Sequence, residues 1–177
     1  MTMNLKTVFV FTREREKEAA SRHLHNLTQL PLIHAVIDAA YDLHDGSGEL
    51  QLLCNSIEHA MINGGGGVWE QAGTWLAKLS LHYPDLDTIW HTLTTYPKAP
   101  VRFRAAANIC NMSSEALERN LPLLLRDRSR NVREKVVGDL WVSTRYDAVS
   151  MLRKRLQDET DAEIALQLRE AISKSCG

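Results

Sequence analysis

Five histidines fall in the first 59 residues: His23 and His25 in a His-x-His step, then His34, His44 and His59. Imidazoles at such spacing are the raw material of a metal centre, but a centre also needs thiolates or carboxylates at ligand spacing. No His-Glu-x-x-His and no Cys-x-x-Cys occurs, and the carboxylates near these histidines are scattered rather than paired. No metal ligand set is therefore expected. The run Gly64–Gly67 has the look of a phosphate-cradling loop, yet Val68-Trp69-Glu70 follows where Lys-Ser or Lys-Thr would be required. It reads as a break between helices. Cys110 sits beside Ile109 on an apolar stripe, where a thiol is inert packing, and no Gly-x-Ser-x-Gly elbow exists. Acid–aromatic pairs of the kind a base-excising enzyme needs are confined to Asp87 with Trp90 and Asp139 with Trp141. Both tryptophans fall at packing ranks. No catalytic residue and no cofactor is expected.

The elements that would position any site must come from 177 residues, enough for one ordinary domain. Hydrophobic residues at 44% and charged residues at 24% exclude a disordered chain, and 6% aromatics with few β-branched residues after Phe11 argue against a sandwich or barrel. Cys54, Cys110 and Cys176 are odd in number and widely spaced, which points to a reducing compartment. The apolar run Val8–Phe11 is too short for a leader core and nothing approaches a membrane span, so a cytoplasmic protein without membrane partners is expected.

The chain repeats itself. Val101–Cys110 lines up with Val132–Trp141 at an offset of 31 residues, apolar on apolar and basic on basic, with Asn108 on Asp139. At the same offset Leu86, Trp90 and Leu93 fall on Leu117, Leu121 and Leu124, and then Leu117 and Leu121 on Ala148 and Leu152. A last copy, one residue longer, puts Val132, Val136 and Leu140 on Ile164, Leu168 and Ile172. Apolar spacings of three and four mark helices, two per copy. Ser113 or Ser114, Asp147 and Asp161 are placed to cap them. The first half predicts helices over Arg13–Leu27, Pro31–Leu43, Glu49–Ile62 and Val68–His82, broken at Asp45–Gly48 and Asn63–Gly67. Six more in the second half give about ten helices in five antiparallel pairs. A unit of two helices cannot bury its apolar face alone, so such units stack.

Leu123-Leu124-Leu125-Arg126-Asp127 followed by Val132-Arg133 resembles the HEAT repeat, in which a turn Asp precedes Val and Arg by five and six residues. Val101-Arg102 keeps the Val-Arg half with Tyr96 in the Asp position. Asp158 keeps the Asp, with Ile164-Ala165 after it. The resemblance covers 84–174 well and 1–83 by analogy. It implies an all-α, right-handed α-α superhelix of about five pairs forming one domain over 1–177, and it is nearly silent on function.

Charge is unevenly spread. Lys98–Arg155 carries 13 basic and 6 acidic residues, while Met1–Pro97 carries 6 and 11. If matched ranks stack, Arg102 with Arg133, Arg104 with Lys135, and the turn residues Arg126, Arg128 and Arg130 form a basic ridge, joined on the second-helix face by Asn108 and Asp139. Arg133 could equally fasten its own unit to the acid of the next. The expected function is a non-enzymatic module that binds another protein with an acidic surface, as a bacterial immunity protein or an adaptor would, by charge complementarity. The alternative is a nucleic-acid-binding protein related to helical-repeat DNA glycosylases; an absent basic tail and arginines not interleaved with aromatics count against it.

Overall fold

The structure, a computed structural model, describes residues 8–24, 26–143 and 146–174; His25, Cys176 and Thr7 of the N-terminal segment lie outside them. All regular structure among the described residues is helical, in ten α-helices and short 3-10 turns. The chain divides into two compact units, Met1–Ile89 and Trp90–Gly177. No helix among the described residues is long and apolar enough to cross a membrane.

The first unit contains α1 (Arg13–Arg22), α2 (Leu30–His44), α3 (Leu50–Asn63) and α4 (Val68–Ser80). Sequence reasoning extends α1 to Leu27, but the chain turns earlier. Asn26 accepts from the Thr28 N–H at 3.1 Å and caps a 3-10 turn over Leu27–Gln29 that leads into α2. α2 packs on α1, α3 and α4, and α3 on α4, burying Ile33, Val36, Ile37, Leu53, Ile57, Leu76 and Leu79. The glycine run makes the α3–α4 turn. Gly67 has φ +81°, and a Cβ there would meet the His23 carbonyl oxygen at 2.9 Å, so both the backbone and the space demand glycine. Its neighbour Gly65 donates N–H to Gln29 Oε1 at 2.6 Å, an internal use of the loop. Within Val8–Phe11, Val8 is buried and the Phe9 ring stacks on His44 and meets Tyr41 edge-on, at centroid distances of 4.2 and 4.9 Å. That stretch is a non-helical lead-in to α1, packed on α2.

The unit boundary falls inside α5 (Asp87–Thr94). The second unit continues with α6 (Ala99–Ala106), α7 (Ser114–Leu125), α8 (Arg130–Ser143), α9 (Val149–Asp158) and α10 (Ala162–Lys174). α8 packs against both α6 and α10, making one layer, while α7 packs on α8 and α9, and α9 on α10. Positions that share a rank in the repeat share burial. Trp90, Leu121 and Leu152 are all interior, as are Val101, Val132 and Ile164, and Ala105, Val136 and Leu168. Ser113 caps α7 by accepting from the Ala116 N–H at 3.0 Å, and Asp161 caps α10 through the N–H groups of Glu163 and Ile164. Asp147 is not the cap of α9. It sits one residue into a 3-10 turn and takes a hydrogen bond from Ser114 Oγ. Trp141 also departs from expectation: it is 44% exposed, with the Lys174 ammonium at the end of α10 4.8 Å from its ring.

Candidate docking surface

The arginines expected to form a ridge separate into two groups: Arg102, Arg104 and Arg133 are buried or half-buried, and Arg126, Arg128 and Arg130 are exposed. Arg102 is buried. Its Nε and Nη2 donate to the two oxygens of Asp127 at 2.6 and 2.9 Å, and Nη1 donates to the carbonyls of Tyr96 and Pro97, both at 2.9 Å. One guanidinium thereby ties the turn before α6 to the turn before α8. Arg133, its counterpart, repeats part of the arrangement one repeat later: Nη1 donates to the Asp127 carbonyl at 2.9 Å, while Nε lies 3.5 Å from Glu159 in an ion pair without a hydrogen bond. Arg155 reaches the same Glu159 carboxylate at 2.7 Å. The acid at the rank of Asp127 is thus Glu159. Asp158, which the repeat pattern singles out, lies on the surface against Arg126 at 3.3 Å. The final copy is one residue longer than the others, and that residue shifts the acid by one.

Burial alone would raise the Asp127 carboxyl, but the Arg102 hydrogen bond, the Ser129 N–H and the charges of Arg102 and Arg128 outweigh it and hold the group below its ordinary value. Glu159 is also depressed. Burial opposes this, and the Asp161 N–H, Arg155 and Arg133 overcome it. A carboxylate lowered in the folded state contributes stability above its unfolded pKa and loses it as pH falls through the folded one. Stability is therefore expected to fall as pH drops below about 4.5, and Asp127→Asn should flatten that limb. Urea midpoints taken between neutral and acid pH check this; parallel profiles for the two proteins would contradict it.

The remaining ridge residues are distributed as follows. Arg130 pairs with Glu134 and Asp161, each at 2.8 Å, and with Glu163. Arg128 donates to the Pro97 carbonyl at 2.8 Å and stays exposed. Arg104 is half-buried, and burial lowers its guanidinium pKa. Asn108 is interior, donating to the Arg104 carbonyl and accepting from Asn111. Lys135 and Asp139 pair with each other along α8 at 2.8 Å. A continuous cationic stripe does not result, because carboxylates of the next unit neutralise most of it.

What the second unit does offer is a groove of about 490 Å³ on the α6–α8–α10 layer. Phe103 comes from α6, Asn131, Glu134, Lys135 and Asp139 from α8, and Gln167 from α10. Gly138 lies among them at the ninth of fourteen positions of α8, where a Cβ would meet nothing within 4 Å. Sequence reasoning found Lys135 and Asp139 here but passed over Phe103, Gly138 and Gln167. Glycine in a helix interior sacrifices about 0.5–1 kcal/mol against alanine, and here no neighbour demands it. Gly138→Ala should therefore raise stability by about that amount in a denaturant titration; a loss would mean that α8 needs the glycine.

Among the described residues no group of three or more His, Cys, Asp or Glu side chains is placed to hold a metal ion. His34 and His59 lie on different helices, α2 and α3, and His44 is stacked on Phe9. Cys110 donates to the Asp139 carbonyl at 3.4 Å. No family model, curated protein or solved structure matches the chain.

Proposed function

We propose that the second unit is a HEAT-like docking module, its helix pairs stacked as in a right-handed α-solenoid, and that it binds another protein through the α6–α8–α10 groove without catalysing a reaction. The reading extends to the whole chain as a cytoplasmic adaptor or immunity-type protein that covers part of its partner. The observation that carries it is the open space at Gly138. A surface that gives up helix stability for room, beside an aromatic ring and a set of charged groups, suits an inserted side chain from a partner. Support for helix-pair stacking comes from α8 lying between α6 and α10, and from the Arg102–Asp127 and Arg133–Glu159 ties at matched ranks.

The expected acidic partner rested on the ridge, and the internal pairing of Arg102, Arg126, Arg130 and Arg133 leaves such a partner Arg128, the outer sides of Arg126 and Arg130, and the half-buried Arg104 and Lys135. The same pairing weakens the nucleic-acid alternative, since phosphates would have to displace carboxylates already in place.

Two measurements test the proposal. In a pull-down from the native cell, Gly138→Trp should abolish capture of the partner while leaving the circular dichroism spectrum and melting temperature intact; retained capture would sink the groove. Titrations of labelled duplex DNA and single-stranded RNA should give no saturable binding at 150 mM salt. Tight binding that falls steeply with salt and disappears in Arg104→Glu would replace this reading with the nucleic-acid one.

A further inference from the structure

The groove lining indicates which chemical group enters it. Around Gly138 the walls carry the carboxylates of Glu134 and Asp139, with Gln167 of α10 beside them. The Gln167 side-chain oxygen itself is buried, closed to the groove, and has no hydrogen-bond partner among the described residues. Each carboxylate already accepts one internal bond, Glu134 from Arg130 and Asp139 from Lys135, out of about four lone-pair positions. With Lys135 counted against Glu134 and Asp139, the lining carries a net charge of one negative. Phe103 adds a half-buried ring.

A guanidinium matches all of these features. It stays charged, presents five donors in one plane, stacks on aromatic faces and tolerates partial burial better than an ammonium does. The space over Gly138 gives its aliphatic stem somewhere to lie.

We propose that the groove receives an arginine side chain presented by a segment of the partner protein, its plane against Phe103 and its N–H groups shared between Asp139 and Glu134. The inference rests on the docking reading above and names the chemistry of the group that docks.

The test uses the full chain labelled with ¹⁵N and two blocked nonapeptides of alanine and serine, one with a central arginine and the other with citrulline, its neutral isostere. The arginine peptide should shift the Gly138 and Asp139 amides and the Gln167 side-chain amide saturably, and the citrulline peptide should bind at least about tenfold more weakly. Asp139→Asn should weaken the arginine peptide by a similar factor. Gly138→Leu should abolish its binding, and Gly138→Ala, whose Cβ meets nothing within 4 Å, should keep the melting temperature at least at the wild-type value.

Equal affinity for the two peptides, or shifts mapping away from α8 and α10, would overturn the arginine assignment. If Gly138→Trp still blocks partner capture in that case, docking in the groove stands and only the identity of the inserted group falls. If capture survives Gly138→Trp, the docking reading falls as well.

Discussion

Asp127→Ala is expected to destabilise the protein by about 3–5 kcal/mol, because it strands a buried guanidinium. The side chains of Arg102 and Asp127 are 7% and 5% exposed, so solvent cannot take the place of the lost carboxylate. Arg102 would keep the Tyr96 and Pro97 carbonyls, whose partial charges do not balance a full one. The same change removes the acceptor of the Ser129 N–H in the turn before α8. Replacing both partners by leucine-sized apolar residues should recover much of the loss, since removing both charges also removes the cost of burying them. Chemical denaturation of wild type, both single variants and the double variant gives the coupling energy. A coupling near zero would mean that the pair does not join the two turns.

Leu121→Ala is the second large effect, at about 2–5 kcal/mol. Leu121 is fully buried on α7, one of the matched interior ranks with Trp90 and Leu152. Its removal leaves a cavity that helices on two sides cannot close without shifting. Arg128→Ala should have almost no effect, because that side chain is exposed and its bond to the Pro97 carbonyl can be replaced by water. A denaturant titration in which the arginine change cost more than the leucine change would show that the repeat had been read out of phase.

The helices were legible because their signal is periodic and local. Apolar residues at spacings of three and four predict α2, α3 and α4 to within a residue or two at each end, and Asp161 and the alternatives Ser113 or Ser114 mark the starts of α10 and α7, with Ser113 as the cap. α1 stops at Arg22, short of Leu27, and the Asn26 side chain instead starts a separate 3-10 turn, a local bond that the apolar pattern does not reveal. The candidate site was harder to read, since a sequence records where charges lie along the chain but not what neutralises them. Arg102 and Arg128 look alike in the sequence; one faces the carboxylate of Asp127 inside the fold and the other faces solvent. Equal rank in the repeat made Arg102 and Arg133 equivalent, and the structure agrees. Equivalence at that rank means fastening two turns together, so it carries no promise of exposure. Glu159 could have been found by applying the one-residue extension of the last copy to the turn acid as well as to the helix. Gly138 gave no sequence signal, because a glycine in a helical pattern looks the same whether it admits a neighbouring helix or leaves an open groove.

Amide hydrogen exchange of the chain, alone and saturated with its captured partner, locates the docking face within the second unit. Added protection is expected over 131–139 on α8 and 163–170 on α10, with the turn at 126–130 unchanged. Protection confined to the outer helices α7 and α9, with α8 and α10 exchanging as in the free chain, would contradict that location.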